Sequence, residues 1–549
     1  MPITARYREF ELVKVSPFGK DWRSVLVFPD NYRMAASNLA FHQIYRILGQ
    51  HESWSCERAV VEPGEPVRTI EGERGLDEFD LIAFSIPFEF GYLQVLEALE
   101  GAHIPLYSKD RGEEHPLVLM GGIAASANPA PMAPFADFFL LGEGEACLPQ
   151  ALDLIAQMSH EDRPKSEILQ ACASIPGAYV PSLQGPQPDP ISFARVLDMD
   201  EFPPCSGWLS PDTEFDNTFL FEISRGCPCG CRFCMIRLSQ KPLRAVSVDR
   251  ILEFVEDLPE AVPSGTDGVE ERPSVGLVGA AVASHPDFEE VCRRIRAKGY
   301  GITASAIEID KVTEGILDIL SESQKTLTLA PERGYESERF RLGKRISDDH
   351  LLQVARRAGK LGMPRLKLYF VVGIVTPEFY AAKSDRPDAP LDPPEWMQGI
   401  EGEELIEAIL QHETEAVANL VERLAEVFKP EGKPGTIGVT CSPLVPKPHT
   451  PWQGWPMAKE KDLKRLDKML TKRIGKIPRA RYHSFSAWEG LMQGLFSQAG
   501  QELAPFLIEL VRHPEKRRAI VRRGIEESGV DLFNRRWTNE PPPWDFVRL

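Results

Sequence analysis

Two stretches of this sequence alternate short, uninterrupted apolar runs with segments of helical spacing, and that alternation constrains the fold more than any other feature. In the first stretch, SVLVFP (24–29), DLIAFSI (80–86), LVLMGG (117–122) and DFFLLGEGE (137–145) read as strands. Residues 35–48, with Leu39, Ile44, Tyr45 and Leu48 on one face, and residues 92–100 read as helices between them. A strand that is apolar at every position needs cover on both faces, which an α/β layer with a parallel sheet provides. Ligands of such sheets sit beyond the carboxyl ends of the strands. Asp30, Asn31, Gly121, Gly122, Gly142 and Gly144 fall at those ends.

Residues 161–217 carry many prolines and read as a linker with a few short elements. Alternation then returns. Residues 218–224, 274–279, 301–306, 325–331, 365–373 and 436–445 read as strands, with helical stretches near 247–257, 287–298, 311–321, 347–361 and 404–428. Six such units with their loops at one end predict a partial (β/α)6 barrel over 218–450, by analogy with the eight-fold barrel. Residues 379–402, rich in Pro and Asp, read as an inserted loop, and 451–549 as a helical C-terminal region.

The 549 residues carry a net charge of −18. Such a chain is repelled by nucleic acid and by anionic membranes unless it has a local basic patch. One exists at 459–481, with ten Lys/Arg against three acids, and it reads foremost as a solvated helix face. Tyr482, Phe485 and Trp488 beside it read as core. No run approaches the ~20 apolar residues of a membrane span. The opening MPITARYREFELVKV lacks the apolar centre of a secretory signal, so the expected location is the cytoplasm, with neither membrane nor nucleic acid as partner.

Four of the ten cysteines, Cys227, Cys229, Cys231 and Cys234, fall within eight residues. Packed thiols in a reducing compartment read as metal ligands or redox groups. Structural zinc draws on two separated ligand pairs, which this compact cluster lacks. Cys227-x3-Cys231-x2-Cys234, directly after a strand, suits three irons of a 4Fe-4S cluster. Four ligands from Cys-x-Cys-x-Cys spacing would be too tight for one cubane, which leaves Cys229 as a spare thiol, passive or chemically engaged. A cluster lacking a fourth protein ligand keeps one iron open, and S-adenosylmethionine (SAM) can chelate it through its amino and carboxylate groups.

The spacing, the preceding strand, Phe233 before the last cysteine and Arg225–Gly226 before the first resemble radical SAM enzymes. TLTLAPERGYESERFRLGKRIS (326–347) and LKLYFVVGI (366–374) look like later barrel segments of the same family. Residues 1–160 look like the Rossmann-like, cobalamin-binding type of domain that precedes many radical SAM barrels. CSPLVPKPHTPWQ (441–453) and the terminal PPPWD resemble a largely uncharacterised subgroup. The resemblance implies a cluster on Cys227, Cys231 and Cys234, and SAM near Gly279, Ala280, Ser305 and Glu332, its carboxylate met by Arg339, Arg341 or Lys344. It implies cobalamin near Asp30, Tyr32, Ser85, Gly121, Gly122, Gly142 and Glu143. It also implies an electron donor such as flavodoxin or ferredoxin. One departure stands out. The loop Asp30-Asn31-Tyr32-Arg33-Met34-Ala35 lacks the histidine that binds cobalt from below, and His42, on the following helix, reads as a packing or surface residue. Cobalamin then binds without a histidine ligand, or the domain keeps the fold and has lost the cofactor.

The leading expectation is reductive SAM cleavage to a 5′-deoxyadenosyl radical coupled to cobalamin-dependent methylation of an unactivated carbon. The runner-up is a radical SAM enzyme without functional cobalamin, performing rearrangement, oxidation or sulfur insertion. The sequence names no substrate.

Overall fold

A computed structural model describes residues 6–236, 241–264, 269–304, 307–381, 394–430, 435–537 and 540–549. The first alternating stretch forms a six-stranded sheet. β1 (Trp22–Phe28), β2 (Trp54–Val60), β3 (Leu81–Ser85), β4 (Leu117–Gly121) and β5 (Phe138–Leu140) are parallel, and β6 (Ala178–Tyr179) adds an antiparallel edge. Their order is β2-β1-β3-β4-β5-β6. Period-two alternation sends Val25, Val27, Ile82, Phe84, Val118 and Met120 to one face and Leu26, Phe28, Leu81, Ala83, Leu119 and Phe138 to the other. The second face is covered by the helices Leu39–Gln50, Gly144–His160 and Lys165–Cys172. The first is covered by Gly91–Gly101 and, from far along the chain, by Ala487–Gln498, Ala504–Arg512 and Arg517–Glu527. The C-terminal helices therefore share one core with the N-terminal sheet.

Residues 161–217 do more than link. They supply β6, an Ile191–Ser192 strand paired with Val547–Arg548, and a Trp208–Leu209 strand paired with Phe10–Glu11. The prolines that suggest a linker sit between these short elements.

The second stretch forms β7 (Thr218–Glu222), β8 (Ser274–Val278), β9 (Ile302–Ala304), β10 (Thr326–Glu332), β11 (Arg365–Val372), β12 (Thr436–Pro443) and β13 (Ala480–His483). All run parallel, hydrogen-bonded as β7-β8-β9 and β10-β11-β12-β13. The Gln324 amide spans the break, accepting from the Ala304 N–H at 3.0 Å and donating to the Thr326 carbonyl at 2.8 Å. The barrel thus has a seventh strand, β13, inside the region expected to be helical. Unlike the N-terminal sheet, β10, β11 and β12 alternate in burial. Leu327, Leu329, Leu366, Leu368, Ile437 and Val439 are buried in the barrel core. The alternate positions face the interior and are half-buried.

The basic stretch forms the outer helix Glu460–Ile474. Its cations pair largely with acids of Gly402–Val427, as in Arg465–Glu407 at 2.6 Å and Arg473–Glu422 at 2.7 Å. No helix among the described residues is long and apolar enough to cross a membrane.

Candidate active site

The cysteine loop leaves the carboxyl end of β7 through a two-residue ribbon, Ser224–Arg225 paired with Arg244–Ala245. Gly226, at φ +103°, turns the chain into the loop in a conformation only glycine adopts freely. Cys231 is buried, while Cys227, Cys229 and Cys234 are half-buried. The loop is pinned from across the barrel. The Arg232 N–H donates to the Leu342 carbonyl at 2.9 Å, and Gly343 lies so close that a Cβ there would sit 2.1 Å from the Gly230 oxygen. An apolar wall of Leu342, Ile374, Phe379 and Trp452 backs the thiols. Trp452 stacks on Trp455 at 4.1 Å, and Phe379 meets both edge-on. Burial pushes the Cys231 thiol up to about 12. A hydrogen bond from the Cys229 thiol lowers Cys227 and raises Cys229 itself. Among the described residues no three His, Cys, Asp or Glu side chains converge as a site for a metal ion.

Glu332 ends β10 at φ +67°, just after a register shift in its pairing with β11. Burial raises its carboxyl above the usual range although Lys344 Nζ donates to it at 3.0 Å. Burial pulls Lys344 down, but Glu332 and then Cys231 outweigh it, so its ammonium is held above the usual range. Lys344 is therefore a cation beside the thiols.

The other two cations expected at the SAM carboxylate are engaged elsewhere. Arg339 is fully buried, donating to the carbonyls of Ile346, Arg333 and Gly334 and pairing with Asp348. Arg341 donates to the carbonyls of Phe379 and Tyr380 and so holds the wall. Gly279 abuts the ribbon, with a Cβ position 2.8 Å from the Ser224 oxygen, and Ala280 is exposed beside it. Ser305 lies outside the described residues. The sequence reading missed Ser224, Glu308 and Thr376. Their Oγ, Oε1 and Oγ1 atoms are buried and have no partner among the described residues. Such orphans suit a polar ligand, and Glu308 lies close enough to Cys227 to raise its thiol. Three thiols on one loop with the Glu332–Lys344 pair and Glu308 beside them are the donor types an iron–sulfur cluster and SAM require.

The carboxyl ends of the N-terminal sheet face those of the barrel. Arg225, two residues before Cys227, meets Glu143 at 3.1 Å, Glu145 at 3.0 Å and Glu222 at 2.7 Å. Arg244 holds both Glu143 oxygens, at 2.6 and 2.9 Å. Lys447 pairs with Glu89, and His449 Nε2 donates to the Ala127 carbonyl at 3.0 Å. Glu143, expected at cobalamin, is thus an interdomain clamp. Tyr32 is buried, bonded to Glu9 at 2.6 Å and stacked on Tyr7 at 3.7 Å. Asp30 is exposed and caps Asn31. Cβ positions at Gly122 and Gly142 lie 2.6 and 2.4 Å from the backbone oxygens of Ile86 and Ala194. Ser85, Gly121 and Gly122 line a cavity of about 50 Å³, against ~300–1,000 Å³ for ordinary ligand pockets. A corrin does not fit the residues named for it in this arrangement. His42 is a packing residue, stacked on Trp208 at 3.7 Å.

Residues 40–181 match the family described as radical SAM proteins, N-terminal, and residues 221–378 match the radical SAM superfamily. The chain is a radical SAM protein carrying both the N-terminal and the core domain. It is 23 % identical over 486 residues to an uncharacterized protein of Methanocaldococcus jannaschii, covering 88 % of this chain and 90 % of that one. Among solved structures it is similar to the cobalamin-dependent S-adenosylmethionine radical enzyme OxsB with aqua-cobalamin bound, at 16 % identity and TM-score 0.49, over 74 % of this chain and 53 % of that one. It is also similar to Streptococcus suis SuiB bound to precursor peptide SuiA, at 15 % identity and TM-score 0.29, over 50 % of each. The chain spans about half the length of these solved structures.

Proposed function

We propose that this chain is an enzyme that reductively cleaves SAM and uses the product to take hydrogen from a substrate carbon. A four-iron cluster with one iron free of protein ligands supplies, when bound, the electron and the chelation that SAM cleavage needs. Cys227, Cys231 and Cys234 hold it. Lys344 offers a cation, and Glu332 an acceptor, to the ligand's carboxylate and ribose. The Phe379–Trp452–Trp455 wall excludes water. The electron donor is a reduced flavodoxin or ferredoxin. The observation that carries this reading is the cysteine loop clamped at the strand ends between the Leu342–Gly343 turn and the aromatic wall.

The test is anaerobic cluster assembly, followed by assay of iron and of 5′-deoxyadenosine under a chemical reductant. Replacement of Cys227, Cys231 or Cys234 by Ser should abolish both, and Cys229→Ser should keep both. Cleavage that survives loss of any of the three refutes the reading.

Cobalamin-dependent methyl transfer is the second reading. What supports it is the facing of the two sets of strand ends through Glu143, Glu145 and Arg225. Cobalamin retained after desalting, with a methylated product that fails without it, would support this second reading, and equal turnover without cobalamin would sink it.

A further inference from the structure

The interior face of β10–β13 carries an unassigned group of cations. Register places Thr328, Lys367, Gly438 and Arg481 in one row across the four strands. Tyr369, Thr440 and His483 form the next row toward the strand ends. Their side is fixed by what lies opposite. Leu366, Leu368, Ile437 and Val439 are buried in the core, and the Tyr482 hydroxyl reaches outward to Asp467 on the helix Glu460–Ile474 at 2.8 Å. Lys367 Nζ lies over the Tyr369 ring at 5.0 Å, and a Cβ on Gly438 would come within 3.6 Å of His483 Nε2 and 3.9 Å of the Lys367 stem. These side chains therefore share the interior face.

Among the described residues, Lys367, Arg481 and His483 have no hydrogen bond or ion pair, and no acid lies in either row. Arg481 and His483 are exposed and Lys367 is half-buried, so three cations stand together without an acid in a chain of net charge −18. Strands two apart in a sheet lie about 10 Å from each other. Lys367 and Arg481 thus flank a side-chain-free bay at Gly438, with the His483 ring beside it.

We propose that this bay binds the anionic end, phosphate or carboxylate, of the enzyme's substrate. Calling the ligand the substrate rests on the radical SAM reading above. Lys367 lies five residues below the end of β11, about 16 Å at strand rise. The substrate is accordingly elongated, with its charged group about that far from the carbon presented at the strand ends.

The test is calorimetric titration of the full chain with inorganic pyrophosphate, and separately with succinate. The wild-type protein should bind at least one of them saturably. The double variant Lys367→Met/Arg481→Gln should bind about tenfold or more weakly, while Lys464→Met, on the outer paired face, should bind like wild type. Binding of pyrophosphate alone assigns a phosphate ester, and binding of succinate alone or equally well assigns a carboxylate. Should the double variant not fold, Gly438→Asp, which sets a carboxylate into the bay where a Cβ has room, should abolish binding. Absence of saturable binding in wild type, or equal binding in wild type and variants, overturns the proposal. The titration needs no iron, so it can fail or succeed independently of the cluster assay.

Discussion

Gly343→Ala is the sharpest probe of how the barrel holds its cysteine loop. Gly343 has φ +93°, and alanine in the left-handed region costs about 1–2 kcal/mol. The new Cβ would sit 2.1 Å from the Gly230 oxygen, where ordinary contact begins at 3.4 Å. The loop must therefore retreat by more than about 1 Å, a displacement that costs up to ~100-fold in rate when it misplaces reacting groups. The backbone term alone lowers melting by about 2–8 °C for a domain of this size. Gly362→Ala is the control. It has φ +76° and nothing within 4 Å of its Cβ position, so it carries the same backbone cost without the collision. Gly343→Ala should melt at or below Gly362→Ala, the difference being the strain of the displaced loop. Iron uptake and 5′-deoxyadenosine formation should fall only in Gly343→Ala, the latter by about 100-fold. Full activity in Gly343→Ala, or equal losses in both, would refute the reasoning.

Two further outcomes concern charge. Burial lowers both His42 and His449 to about 4. His42 Nδ1 accepts the Gly207 N–H at 3.0 Å, so Nε2 is the nitrogen that donates to the Ala36 carbonyl. The unfolded chain binds more protons than the folded one between about pH 6.5 and 4, so stability present above that window is lost as pH falls, by up to ~1.4 kcal/mol per pH unit per histidine. Urea midpoints should drop across this range and less steeply in His449→Gln; a flat wild-type profile would contradict it. Arg339→Met strands three carbonyls, leaves Asp348 to Arg423 alone, and should cost about 1–3 kcal/mol, leaving SAM affinity of the folded protein unchanged. Lys344→Met should instead raise the SAM KM about tenfold with a smaller melting shift. The reverse pattern would return Arg339 to the SAM site.

β1, β3, β4 and β5 were legible because they are apolar at nearly every position, a pattern with few other uses, whereas β2, WSCERAV, was not, because its Ser55, Glu57 and Arg58 break the apolar run although they are buried. β13 was not. ARYH is a four-residue strand at a sheet edge whose only aliphatic residue is Ala480, and its basic composition continues that of the preceding helix. The cysteine loop was legible because its spacing is local, and the structure places it just beyond the carboxyl end of β7. The roles of Arg339 and Glu143 were not. A buried arginine satisfied by carbonyls has no local signature, and Glu143 meets Arg225 and Arg244 from 82 and 101 residues away. GEGE at the end of β5 looks like a ligand loop whether its carboxylates face a cofactor or an arginine. Ser224, Glu308 and Thr376 carry no pattern at all; only their burial without partners singles them out.

The shared core of the N-terminal sheet and the C-terminal helices sets a timetable for synthesis. Val25, Phe84 and Met120 wait for Leu495, Phe496, Leu503 and Leu507 to cover them. At ~5–20 residues per second, the roughly 350 residues between β5 and that cover take about 20–70 s to emerge. Throughout that interval this face has only the helix Gly91–Gly101 over it, and that helix lacks its later partners such as Phe496 against Tyr92, while the whole barrel is being made. This protein therefore depends during its birth on a holding chaperone, or on slow closure of the sheet, and substitutions in residues 487–527 should first appear as aggregation of newly made chains.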